Sequence, residues 1–144
     1  HGGILHAGLN MLMLLLIAPN IERVLGTRSI MILYGVGLLM AALVEILVKP
    51  GSFGPVVGAS GAISALIACY AQLFPRAKPQ PLGPIPAHWA HAIKLLAGWA
   101  VINAMLWFVG PSIGIGIAVW AHIGGFIAGL VLTWPLLRWR YRNA

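Results

Sequence analysis

Three long stretches of this chain contain no charged residue, and they limit what it can fold into. Residues 1–21, 51–75 and 95–137 lack Asp, Glu, Lys and Arg. An α-helix needs about 20 mostly apolar residues to cross the hydrocarbon core of a membrane. The first two stretches are each long enough for one crossing, and the third, of 43 residues, is long enough for two. Residues 29–48 add a fifth, interrupted only by Glu45, so the sequence predicts an all-α bundle with five membrane spans.

The composition excludes a soluble globular domain. Only 8% of the residues are charged and 60% are hydrophobic, whereas soluble domains carry about a quarter of charged residues. The net charge of +7 would suit a nucleic-acid partner, but the basic residues are scattered between apolar spans and form no continuous stripe. We therefore expect a lipid bilayer around the chain and no nucleic acid. The single cysteine, Cys69, permits no internal disulfide.

The polar connections between the spans predict the orientation. The predicted spans are residues 4–21, 29–48, 59–74, 91–109 and 115–137. If the charged turn after the first span is cytoplasmic, eight basic residues lie inside and only Lys49 lies outside, in agreement with the positive-inside rule. We therefore expect a multi-pass protein with a cytoplasmic C-terminus, in a bacterial cell (inner) membrane. His1 then lies outside with no span before it, so we expect that at least one upstream span is absent from this sequence.

Several polar residues fall within the outer half of the predicted spans, where such groups are costly and mark function by default. They are His1, His6, Asn10, Ser60 and His122. Glu45 lies in the same leaflet, and we expect it to be close enough to the end of its helix to reach water. His6 and Asn10 are four residues apart and therefore share one helix face. Hydrogen bonding between helices is the alternative role for this pair. His1 projects elsewhere, and we expect it to be structural.

Ser60 lies at a predicted loop-to-helix junction, in the segment Gly58-Ala59-Ser60-Gly61. Flanking glycines leave the hydroxyl unobstructed, and a helix N-terminus offers free N–H groups to an oxyanion. Small residues in membrane helices more often serve close packing, which is the alternative.

His122 precedes Gly125 and Gly129, which form a face of small residues on the histidine's side of its helix. Such a face allows close helix approach, and the helix that carries Gly61 is its natural partner. The pattern predicts that His122 comes within hydrogen-bond reach of Ser60, about 3 Å. A lone histidine here would equally suit a ligand or polar contact between helices, so the inference depends on the pair.

Together these residues resemble the rhomboid family of intramembrane serine proteases, and the resemblance covers all 144 residues. Four motifs occur in the family's order. They are His1-x4-His6-x3-Asn10, Glu22-x3-Gly26, Gly58-Ala59-Ser60-Gly61 and Ala121-His122-x2-Gly125-x3-Gly129. The resemblance implies that residues 1–144 are helices two to six of a six-helix core, without the first helix and the loop after it.

The resemblance also implies a function. Ser60 would be the nucleophile and His122 the general base, a dyad with no acidic third member. His6 and Asn10 would donate hydrogen bonds to the oxyanion, together with the Ser60 backbone N–H. The expected reaction is cleavage of single-span transmembrane substrates near the outer face through an acyl-enzyme, with no metal or cofactor.

Two departures from the family pattern qualify this prediction. Many relatives carry an aromatic residue four positions after the nucleophile, where this chain has Ser64, so another group must orient His122. Val57 stands where some relatives have a second glycine.

Two other functions are the alternatives to a protease. One is a catalytically inactive rhomboid-like protein that binds transmembrane clients. The other is a channel or small transporter, which would not explain the serine and histidine motifs.

Overall fold

The chain folds as a bundle of α-helices. A computed structural model describes residues 3–51, 59–75, 77–113 and 117–143, and within these ranges it contains no regular β-strand. The predicted all-α architecture is therefore confirmed. The helices are α1 (Ile4–Leu25), α2 (Thr27–Val48), α3 (Ser60–Leu73), α4 (Ala87–Val109) and α5 (Val119–Arg140), with a short 3-10 turn (Gly110–Ile113) after α4. All but α3 are long and apolar enough to cross a membrane.

Several helices extend beyond the apolar spans predicted for them. Residues 22–28, three of which are charged, were expected to form a turn, but α1 continues to Leu25 and α2 begins at Thr27. Only Gly26 separates them, with φ of 78°, a conformation that glycine adopts without steric cost. Charge ends the contact of a helix with lipid, but it does not break the backbone hydrogen bonds. For the same reason α5 extends past residue 137 to Arg140, although it begins at Val119, four residues after its predicted start. Helix α4 begins at Ala87, four residues before its predicted start, and this added turn contains no Asp, Glu, Lys or Arg.

The short helix α3 lies at the centre of the bundle and contacts all four other helices. Most of its 14 residues are buried. Fourteen residues span about 21 Å, less than the ~30 Å of hydrocarbon in a typical bilayer. In a bilayer of that thickness, at least one end of α3 lies inside the hydrocarbon layer. Its first residue is Ser60.

Glycines let α5 pack directly on α3, as the small-residue face predicts. A Cβ atom at Gly125 would overlap the carbonyl oxygen of Gly61, and one at Gly129 would overlap the carbonyl oxygen of Ala65. Gly61 itself faces the methyl group of Ala41 on α2 without room for a side chain. The backbones of α3 and α5 are therefore in contact at two points about one helical turn apart.

A polar contact joins the same two helices near the end of α3 remote from Ser60. The Gln72 side chain is buried and donates to the Thr133 hydroxyl at 3.1 Å and to the Leu130 carbonyl at 3.2 Å. Thr133 Oγ1 in turn donates to the Gly129 carbonyl at 2.6 Å. An amide satisfied by several acceptors resists sliding of the two helices, so α3 and α5 are held in one register.

We expect Gly125→Ala to lower the free energy of unfolding by about 3 kcal/mol, because a rigid backbone carbonyl cannot move aside as a side chain could. Unfolding of the purified protein in increasing SDS measures this. Gly98→Ala on α4 is the matched control, since a Cβ there meets nothing within 4 Å. Equal stability of the two variants would contradict the close contact of α3 and α5.

Candidate active site

Ser60 and His122 meet, as the two sequence motifs predict. Ser60 is the first residue of α3 and His122 lies in the first turn of α5. The Ser60 Oγ and His122 Nε2 atoms are 2.8 Å apart, within hydrogen-bond distance. The glycine contact between α3 and α5 brings the two helices close enough for these short side chains to touch. A hydroxyl paired with an imidazole nitrogen is the arrangement that activates a serine as a nucleophile.

A cavity of about 250 Å³ opens beside this pair. His6, Asn10, Ser60 and His122 all line it, so the structure brings together the four residues that the sequence analysis selected as candidate catalytic and oxyanion groups. Most of the remaining wall is apolar, and it includes Leu9, Met13, Ile63, Ile67, Leu106, Val109 and Ile117. An apolar pocket with a few convergent polar groups is typical of a small binding or catalytic site.

Helix α1 contributes two polar residues to the cavity from one face. Asn10 is only 5% exposed, and its Nδ2 atom donates to the His6 carbonyl oxygen at 2.8 Å. This bond fixes the side-chain amide along its own helix. An amide nitrogen carries two hydrogens, so Asn10 has a second N–H to offer. The side chain of His6 is half-buried on the same wall.

Asn103 on α4 is a second hydrogen-bond partner of the His122 side chain, and it was not predicted from the sequence. Its Oδ1 atom is 2.6 Å from His122 Nδ1, and its Nδ2 atom donates to the Trp99 carbonyl at 2.9 Å. The side chain is fully buried. The sequence did contain a signal for it, because Asn103 is an amide within a long apolar span. Such polar groups in membranes have hydrogen-bond partners or functions.

Glu45 was expected to reach water near the end of its helix, but it is 7% exposed and holds the beginning of α5. Its Oε2 atom accepts the Ala121 backbone N–H at 3.0 Å, while Oε1 pairs with Lys49 Nζ at 2.9 Å. A carboxylate at a helix N-terminus satisfies an orphan N–H and suits the positive end of the helix dipole. The residue next to His122 is thereby anchored to α2.

The other histidines that the structure describes do not line this cavity. His1 and Gly58 lie outside the described residues. Among the residues that are described, no three His, Cys, Asp or Glu side chains come together as a metal site requires. His91 contacts the Ala71 carbonyl at 3.4 Å, on the part of α3 remote from Ser60.

Comparison with known proteins gives the family. Residues 1–139 match the family described as Rhomboid domain. The chain belongs to the rhomboid family. That residues 1–144 form helices two to six of a six-helix core stays a prediction, as do the catalytic roles of the site residues. The helices and the family together make it an integral, multi-pass membrane protein.

Two curated rhomboid proteins resemble the chain. It is 29% identical to "Rhomboid protein 1, mitochondrial" of Saccharomyces cerevisiae, over 90% of this chain and 37% of that protein. It is 30% identical to "RHOMBOID-like protein 4" of Arabidopsis thaliana, over 95% of this chain and 32% of that protein. The chain thus spans about a third of the length of these relatives. Both are eukaryotic, so they lend no support to the bacterial membrane expected from the sequence. No solved structure matches the chain.

Contacts from α4 reach His122 where an aromatic residue was expected at position 64. Ser64 Oγ donates to the Ser60 carbonyl at 2.8 Å, along its own helix. The Trp99 ring on α4 lies beside the histidine, with its centroid 6.3 Å from that of His122, and it stacks on Phe126 at 5.2 Å. The group that was expected to orient His122 in place of an aromatic at position 64 is therefore on α4.

Proposed function

We propose that the complete protein is an intramembrane serine endopeptidase. Ser60 Oγ attacks the scissile carbonyl while His122 Nε2 accepts its proton, and the same proton then goes to the leaving amine. Water then attacks the acyl carbon while His122 Nε2 takes its proton, and that proton passes to Ser60 Oγ as the acid product leaves. The observation that carries this proposal is the 2.8 Å contact between Ser60 Oγ and His122 Nε2, on the wall of a cavity.

Charge on the tetrahedral oxyanion needs preorganised donors, because lipid supplies none. We assign this role to the His6 and Asn10 side chains and to the Ser60 backbone N–H. The first two share the cavity with Ser60. Ser60 is the first residue of α3, so its backbone N–H has no acceptor within the helix. It lies at the positive end of the helix dipole, which favours a negative charge nearby.

Asn10→Ala is expected to lower kcat about 100- to 1,000-fold, the usual effect of removing one oxyanion donor. Single-turnover cleavage by the purified complete protein measures it. Asn20→Ala is the matched control, because Asn20 lies on the same helix and makes the same kind of bond, to the Leu16 carbonyl at 3.0 Å. A similar kcat for both variants would remove Asn10 from the proposed oxyanion site.

The proposed substrates are single-span transmembrane proteins, reached through the surrounding bilayer. A transmembrane helix protects its amides because they are already hydrogen-bonded, so the scissile segment must unwind first. This requirement favours helix-breaking or small residues near the cut. With the basic C-terminal end of α5 in the cytoplasm, the site lies in the outer half of the membrane and cleavage occurs near the outer face.

Reconstitution with a single-span test substrate examines this proposal. The complete protein and a fluorescent substrate with a Gly-Ser-Gly segment near its outer end are placed in the same liposomes, and mass spectrometry locates the cut. We expect cleavage within or beside that segment. Stable binding without cleavage would instead favour the inactive, client-binding alternative.

A further inference from the structure

We propose that Asn103 is a positioning residue that holds the resting proton of His122 on Nδ1 and thereby keeps Nε2 free to accept the Ser60 proton. This inference rests on the proposed protease function and extends it. It adds a third side chain, from α4, to the expected dyad of Ser60 on α3 and His122 on α5.

The hydrogen bonds of the Asn103 amide determine which way it faces. Its one donor group, Nδ2, lies 2.9 Å from the Trp99 carbonyl, which can only accept. The other end of the amide, Oδ1, therefore faces His122 Nδ1 at 2.6 Å. An amide oxygen cannot donate, so the imidazole nitrogen opposite it carries the proton.

The position of that proton determines what the other nitrogen can do. A neutral imidazole has one protonated and one unprotonated nitrogen. With the proton on Nδ1, the lone pair is on Nε2, which faces the Ser60 hydroxyl at 2.8 Å. The opposite tautomer would place an N–H against the serine and an unprotonated nitrogen against the Asn103 oxygen. That arrangement would set two acceptors against each other and would leave the serine without a base.

The placement of Asn103 argues for a role beyond general packing. Helix α4 is the least buried of the long helices, and only Ala90 and Asn103 are buried among its described side chains. Asn103 is nonetheless 0% exposed. Placing an amide at one of the two buried positions of this largely exposed apolar helix is costly unless the amide has a specific partner. Since Asn103 does not line the cavity, that partner is His122 and not a substrate.

The same contact also serves the charged intermediate. When Nε2 accepts the Ser60 proton, the imidazole becomes a cation with N–H groups at both nitrogens. The Asn103 oxygen then accepts a charge-assisted hydrogen bond from Nδ1–H, which is stronger than the bond in the resting state. A neutral amide achieves this without burying a second full charge, which would be expensive within a membrane.

The tautomer of His122 tests this inference independently of proteolysis. ¹⁵N-histidine labelling of the complete protein in micelles, with His122 assigned by substitution, distinguishes Nδ1–H from Nε2–H imidazole. We expect Nδ1–H in the wild type and in Asn103→Asp, which keeps the acceptor. In Asn103→Leu, of similar size but without an acceptor, we expect a mixture of tautomers.

Kinetics give the second readout. Asn103→Leu should lower kcat on the order of 100-fold with KM nearly unchanged, the scale on which misplacing a catalytic group acts, and Asn103→Asp should recover most of the loss. Asn20→Leu is the matched control, because it removes the same amide-to-carbonyl bond on α1 and should leave both constants unchanged.

Unaltered Nδ1–H imidazole in Asn103→Leu would overturn the inference, even with lowered activity. If Asn103→Leu does not fold, the Asn103→Asp spectrum decides, and Nε2–H imidazole there overturns it. A wild-type protein that shows Nδ1–H imidazole but cleaves nothing would instead reject the proposed function and leave the positioning contact standing.

Discussion

Ser60→Ala should lower kcat on the order of 10⁶-fold, the scale of loss when a serine nucleophile is removed. The change deletes one oxygen atom, which lies 2.8 Å from His122 Nε2. The fold should persist, because α3 is held by its glycine contacts and by Gln72. Cleavage of a single-span substrate in liposomes, followed over days, measures the residual rate.

Ser64→Ala is the matched control for this prediction. Ser64 lies one turn further along α3 and lines the same cavity, but its hydroxyl is bonded to the Ser60 carbonyl. We expect this variant to retain activity within about 10-fold, since it removes a neutral hydrogen bond of modest net value. If Ser60→Ala cleaves as fast as Ser64→Ala, the nucleophile is elsewhere.

His122→Ala should cause a loss of similar size, and the double variant with Ser60→Ala should be no slower than either single variant. Groups that act as one unit are strongly non-additive, because removing either disables the same step. His91→Ala is the control, since His91 contacts a carbonyl on the remote part of α3. Losses that multiply in the double variant would show that the two side chains act in separate steps.

Much of the fold follows from the sequence because hydrocarbon imposes strict conditions on a chain. Uncharged stretches of about 20 residues identify spanning helices, and the long helices fall where these stretches predict them. The face made by Gly125 and Gly129 identifies the close contact with α3, because only glycine permits backbone contact. From that contact the meeting of Ser60 and His122 follows.

The contacts of Asn103 and Glu45 could not be predicted in the same way. Both depend on how α4 and α2 are rotated and shifted against α5, and such a register is set by packing across helices. Glu45 sits near a helix end, where water is the simpler expectation, yet its carboxylate accepts the Ala121 N–H. Asn103 lies among apolar residues that do not indicate which face is buried. The sequence shows that a partner is needed, but not which one.

The most direct test of the central claim is the site at which a fluorophosphonate attacks the complete protein in detergent. Such probes phosphonylate an activated serine with loss of fluoride, so the label reports whether His122 activates Ser60. We expect peptide mass spectrometry to find the adduct on Ser60 in the wild type and to find none in His122→Ala. An adduct on another residue, or equal labelling of Ser60 without the histidine, would contradict the pairing of these two side chains as the catalytic centre.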